Sequence, residues 1–204
     1  MRIYMKTTSN DYGTVIIING ASAVGKSSIV KVFQTKQATP WLSAGIDNLF
    51  ARILPQKFYL EAEHNDPVAM PSDAFKYKKA TGFAVKIGPN AQTVIKGMHR
   101  AIASYAHAGN NVIVDYIKYD DAWIPDLKEA LHGIKVFWIG INASLASIEQ
   151  REKTRGTSPI GHARSHYDTV HLNISYDLMI NTNSLSPDQA ADQIITFIRK
   201  QPLR

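Results

Sequence analysis

Gly20-Ala21-Ser22-Ala23-Val24-Gly25-Lys26-Ser27 fits the pattern G-x-x-x-x-G-K-[ST], a spacing suited to holding a polyphosphate. A continuous β-branched run, Thr14 to Asn19 (TVIIIN), precedes it, and Lys26 to Lys36 follows with helical periodicity. In that setting the backbone N–H groups of the loop turn toward an anion, and the helix dipole points its positive end at the same place. The expected ATP-binding set runs from Gly20 through Ser27 to Ser28. Within it, Lys26 reaches the β- and γ-phosphates and the Ser27 hydroxyl ligates Mg²⁺. Mg²⁺ also needs a carboxylate, normally at the C-terminal end of a neighbouring buried strand. Asp115, which ends NVIVD, has that place and is read as a metal partner acting through water. A loop-start Asp accepting backbone hydrogen bonds is the plainer reading, and the phosphate loop favours the metal role.

Two further groups bear on transfer chemistry. Arg151 and Arg155 stand four apart near a helix end, before the Gly156-to-Gly161 turn. That spacing puts both guanidiniums on one face. They could close over ATP, with Arg155 neutralising charge on a transferred phosphoryl, or simply suit the helix dipole. Asp47, after WLSAGI, belongs at the C-terminal edge of a sheet, where such sites form. It is either an N-cap or the base that takes a hydroxyl proton.

Positioning these groups requires alternating strands and helices. Strands are expected at Thr14–Asn19, Trp41–Ile46, Asn111–Asp115, Ile134–Ile141 and about Asp177–Ile180. Helices are expected over Lys26–Lys36, from Asp47 to about Leu54, from Pro89 to a stop at Gly109, over Ala122–Leu131, from a Ser144 cap to about Thr154, over Ile160–His171, and after Ser186-Pro187. In the Pro89 helix, Ile95, Met98, Ile102 and Tyr105 recur at helical spacing. Five apolar strands interleaved with helices make a parallel α/β sheet the expected fold class. Residues 55–90 hold prolines at 55, 67, 71 and 89 and read as an irregular surface loop, a length that is often functional.

Composition narrows the field. The 204 residues suit one domain, and 45% hydrophobic content suits a sizeable core. There is no cysteine, which excludes disulfides, Cys-based zinc or iron–sulfur sites and a thiol nucleophile. No apolar run is long enough for a bilayer and MRIYMKTTSNDYG has no signal-type segment, so a cytoplasmic location is the expectation. Twenty-three Lys and Arg against 17 Asp and Glu give a net charge of +6. Lys26, Arg151 and Arg155, facing a polyphosphate, account for part of it without nucleic acid. Lys76, Lys78 and Lys79, interleaved with Phe75 and Tyr77, read better as a solvated loop than as a nucleic-acid site, with contact to an anionic acceptor as a third reading. His162, His166 and His171 lack the further ligands zinc would need and read as solvated or hydrogen-bonded, bordering the nucleotide. Trp123 and Trp138 read as core.

The segments IIINGASAVGKSSIV, PWLSAGIDNLFARILP, NVIVD and REKTRG…GHARSHYDTVH…YDLMINT resemble the chloramphenicol phosphotransferase family over most of the chain, from about Val15 to Ile198. The resemblance implies a three-layer P-loop kinase fold: a central five-stranded parallel sheet with a helical lid over 151–171 and a substrate-side insertion over 55–90. It implies ATP-dependent phosphorylation of a small-molecule hydroxyl, that of chloramphenicol or a similar alcohol. Asp47 is then the base, Lys26 and Arg155 act on the phosphoryl group, and by analogy with related small kinases Arg151 stacks on adenine. The chain departs from the family at Tyr116, where a second acidic residue is common. It departs again at Thr157-Ser158, where the lid pattern R-G-D-R has an acid and a base. The alternatives are a nucleic-acid 5′-hydroxyl kinase and an ATP-binding regulatory module without transfer.

Overall fold

The computed structural model describes residues 12–53, 61–62, 76–79, 82–85 and 87–201. The main sheet has five parallel strands in the order β2-β6-β1-β7-β8. They are β1 (Val15–Asn19), β2 (Trp41–Gly45), β6 (Asn111–Tyr116), β7 (Val136–Asn142) and β8 (Leu178–Asn181). Successive residues of a strand point to opposite faces, and β1 uses both. Val15 and Ile17 enter one core with α2 (Pro89–His107) and α3 (Trp123–Ala130). Ile16 and Ile18 enter the other with α1 (Lys26–Thr35), α4 (Leu145–Arg155) and α5 (Pro187–Arg199). Helices thus cover both faces, and the expected three layers are present.

Local signals work as their chemistry dictates. The Ser144 side chain accepts from the Ser147 N–H at the start of α4, and Ser186 forms a reciprocal capping box with Gln189 at the start of α5. Pro89 opens α2 and Gly109, at φ +85°, follows its end. Trp123 is core and Trp138 packs half-buried against the same cluster. Among the described residues, no helix is long and apolar enough to cross a membrane.

Three expectations need correction. Tyr105 is not on the buried face of α2 but 45% exposed; His99 and Ala106 take the inward positions instead. Ile160–His171 forms no α-helix. It is a chain of turns around a short 3₁₀ segment, Arg164–His166. Its N–H groups reach mainly the carbonyl three residues back, as in His162 to Pro159, Tyr167 to Arg164 and Thr169 to His166, and Glu152 accepts from Gly161 and Ala163 at its start. Within 55–90, the described residues form a three-stranded sheet of β3 (Glu61–Ala62), β4 (Lys76–Lys79) and β5 (Gly82–Val85). β3 runs parallel and β5 antiparallel to β4. Two- and four-residue strands carry too little apolar periodicity to be seen in sequence. Pro55, Pro67, Pro71 and Phe75 lie outside the described residues. β5 lies beside the Arg164–His166 turn, on the side of the molecule that holds the phosphate loop.

Candidate active site

Three strand ends converge on one cleft. β1 leads into the Gly20–Ser27 loop, β2 into a π-helical turn (Asp47–Ala51), and β6 ends with Asp115-Tyr116. The cleft holds about 130 Å³, with Lys26, Ser27, Asp47, Asp115, Tyr119 and Arg155 in its wall. A Cβ on Gly20 would come within 2.3 Å of the Ile141 carbonyl oxygen, so only glycine lets the loop leave β1 this close to β7.

Lys26 is buried, and its Nζ donates to the Ala21 carbonyl at 3.0 Å and lies 3.7 Å from Asp115 Oδ1. Burial pulls the Lys26 ammonium below its ordinary pKa, against the opposing pull of the Asp115 and Asp47 carboxylates. The Ser27 hydroxyl donates to Asp115 Oδ2 at 2.5 Å. A hydroxyl and a carboxylate oxygen side by side make a hard-oxygen pair suited to Mg²⁺, which completes its shell with water and phosphate oxygens. Asp47 is exposed and lines the same cleft. Arg155 reaches in from α4, donating to Ser22 Oγ at 3.3 Å and to Ser158 Oγ at 2.8 Å.

Arg151 is held elsewhere. Its guanidinium donates to the Val24 carbonyl and to the hydroxyl and carbonyl of Thr182, the last at 2.6 Å. It borders a second hollow of about 240 Å³ with Val24, Ser28, Leu185 and Pro187. The two arginines therefore serve opposite shoulders of the phosphate loop. Tyr116 points away from the cleft, since strand alternation sends it opposite to Asp115. It is fully buried, bonded to His99 Nε2 at 3.0 Å, and His99 Nδ1 lies 2.5 Å from Asp126. The tyrosine replaces a core position, and Asp115 remains the carboxylate at the cleft.

Several residues that matter here carry no motif. Asn19 is fully buried: its Nδ2 donates to the Val170 carbonyl and to Tyr176 Oη, and its Oδ1 accepts from the Lys118 N–H. The Thr182 hydroxyl donates to the Val24 carbonyl at 2.9 Å. His162 bonds Tyr119 Oη at 3.0 Å, and His166 Nε2 accepts from the Ser22 N–H. The histidines are therefore hydrogen-bonded and beside the loop, as expected. Glu152 is 1% exposed and its two oxygens accept from Gly161 and Ala163 at 2.7 and 2.8 Å. Its one signal in sequence is an acid set among basic residues at a helix end. Glu152→Ala strands the buried Ala163 donor and the half-buried Gly161 donor and should lower unfolding free energy by about 2–3 kcal/mol, read from urea denaturation. A loss under about 0.5 kcal/mol would mean that the turn segment does not depend on Glu152.

The chloramphenicol phosphotransferase-like protein family matches residues 13–199. The chain belongs to this family. It is accordingly a P-loop phosphotransferase, a kinase. Proteins of Mycobacterium tuberculosis named "Putative O-phosphotransferase", from strains CDC 1551 and H37Rv, are 27% identical over 182 residues, spanning 89% of this chain and 80% of theirs. Two solved structures share the fold. The APS kinase CysC of Mycobacterium tuberculosis, in complex with AMPPNP and APS, superposes with a TM-score of 0.62 at 14% identity, over 93% of this chain and 99% of that one. The tunicamycin resistance protein of Deinococcus radiodurans gives 0.59 at 18% identity, over 91% and 95%. Both likenesses concern the fold alone.

Proposed function

We propose that this family member transfers the γ-phosphate of ATP to a hydroxyl of a small molecule, chloramphenicol or a similar alcohol. The observation that carries the reading is one cleft whose wall holds Asp47 together with the Lys26–Ser27–Asp115 cluster. The Gly20–Ser28 segment cradles the phosphates. Asp47 accepts the acceptor's proton as its oxygen forms a bond to Pγ; the bond from Pγ to the β,γ-bridging oxygen breaks and ADP leaves with the electron pair. Lys26 and Arg155 offset the negative charge on the oxygens in flight. Ser27, with Asp115 through water, would hold Mg²⁺, which supplies further positive charge to the phosphate oxygens when bound. The hollow bordered by Arg151 would take the nucleoside, with the guanidinium stacking on adenine. The 55–90 segment, whose β5 lies beside the Arg164–His166 turn, would cover the acceptor side, and 151–171 the nucleotide side.

The test is phosphorylation of an alcohol panel, chloramphenicol included, with ATP, Mg²⁺ and mass-spectrometric detection. A phosphorylated small alcohol is the expected product. ATP binding with no transfer to any member would point to a regulatory module, and preferred phosphorylation of 5′-hydroxyl oligonucleotides with steep salt dependence to a nucleic-acid kinase. Arg155→Ala should lower kcat about 10²-fold while ATP affinity changes only a few-fold; unchanged kcat would remove Arg155 from the transfer step.

A further inference from the structure

Resting on the reading of Gly20–Ser28 as the ATP site, we infer that His166 is a positioning residue for Lys26, acting through the Ala21–Ser22 peptide. The carbonyl of that peptide accepts from Lys26 Nζ at 3.0 Å, and its N–H donates to His166 Nε2 at 3.0 Å. A peptide group is planar, with its C=O and N–H directed oppositely. Holding one end therefore sets the direction of the other. The Ala21 carbonyl also accepts from the Val24 N–H, but at a long 3.4 Å. Without the histidine, that weak bond alone opposes a turn of the plane about its flanking bonds, which would carry away the oxygen that holds the Lys26 ammonium.

The hydrogen bonds around His166 also specify which nitrogen accepts. Ser165 Oγ donates its only hydrogen to the His162 carbonyl at 2.6 Å. The same oxygen, 3.2 Å from His166 Nδ1, then accepts from an Nδ1–H. Nε2 is left as the acceptor that the Ser22 N–H requires. The ring is 3% exposed and the edge of Tyr119 packs on it with centroids 5.0 Å apart, so rotation out of this geometry is obstructed. Ser22 is consequently a junction: its N–H is held by His166 from the turn segment and its hydroxyl by Arg155 from α4. The segment expected as a lid is thereby bonded to the backbone of the phosphate loop.

The experiment measures ATP binding by calorimetry and steady-state kinetics on full-length wild type, His166→Leu, His166→Gln and Ser165→Ala. Glutamine keeps an acceptor oxygen near the place of Nε2; leucine keeps bulk alone. The expected result is ATP affinity about tenfold weaker in His166→Leu with KM for the acceptor unchanged. His166→Gln should return to within about threefold of wild type, and Ser165→Ala should fall between. Wild-type ATP affinity in a folded His166→Leu overturns the inference, as does a glutamine variant no better than leucine. Should His166→Leu not fold, the other two variants decide: wild-type affinity in Ser165→Ala, or no recovery in His166→Gln, overturns it. Failure of wild type itself to bind ATP overturns the ATP reading instead.

Discussion

Asp47→Asn is expected to lower turnover by about 10²–10⁴-fold while leaving ATP affinity within a few-fold of wild type. The loss corresponds to about 3–5 kcal/mol of transition-state stabilisation. Asparagine matches aspartate in shape and keeps a hydrogen-bonding oxygen, so the acceptor can still be oriented. It cannot take the hydroxyl proton, which is the role proposed for Asp47. Its carboxylate is also one of the two that oppose the drop in the Lys26 pKa. Removing that negative charge favours the polyphosphate slightly, so weaker ATP binding is not expected. Single-turnover transfer from labelled ATP to the best alcohol of the panel gives the rate directly. Transfer at the wild-type rate would leave Asp47 as nothing more than the first residue of its turn.

Gly45→Ala is the second large effect, and it joins the fold to the chemistry. Gly45 lies at φ +143°, and a Cβ there would stand 2.2 Å from the backbone oxygen of Asp115. That oxygen belongs to β6, a central strand, so the new methyl cannot be relieved by turning a side chain aside. β2 is the edge strand and the one able to yield. Backbone strain and overlap together should lower stability by about 3–5 kcal/mol, read from the urea midpoint. Activity should fall even where the variant folds, because Asp47 follows two residues later and Asp115 supplies the clashing oxygen. Ser43→Ala, at an exposed position of the same strand, is the control and should stay within about 0.5 kcal/mol. An unchanged midpoint for Gly45→Ala would mean that β2 is not paired with β6 as described.

The phosphate loop was legible because its chemistry is local. Eight consecutive residues, a β-branched run before them and a helical period after them specify strand, turn and helix without any distant contact. The five main strands were legible for the same reason, as were the caps at Ser144 and Ser186. The strands of the 55–90 segment were not, since their pairing is between short pieces with no apolar alternation. The Ile160–His171 segment has helical spacing in sequence but folds as turns, its N–H groups bonding mainly three residues back, a difference of one residue in hydrogen-bond reach that apolar spacing does not encode.

By itself the sequence determined the fold class, the phosphate-binding loop and the family, for these rest on patterns read along the chain. Tertiary structure alone decided that Arg151 and Arg155, one turn apart, serve different hollows, and that Asp115 and Tyr116, adjacent in sequence, face cleft and core. It alone brought Glu152 to the turn segment and His166 to the Ala21–Ser22 peptide. A hydrogen bond between residues 144 positions apart leaves no periodic trace in either partner. Whether a buried donor finds its acceptor depends on how the sheet stacks its helices and lays the turn segment across the strand ends, and those distances exist only in the folded chain.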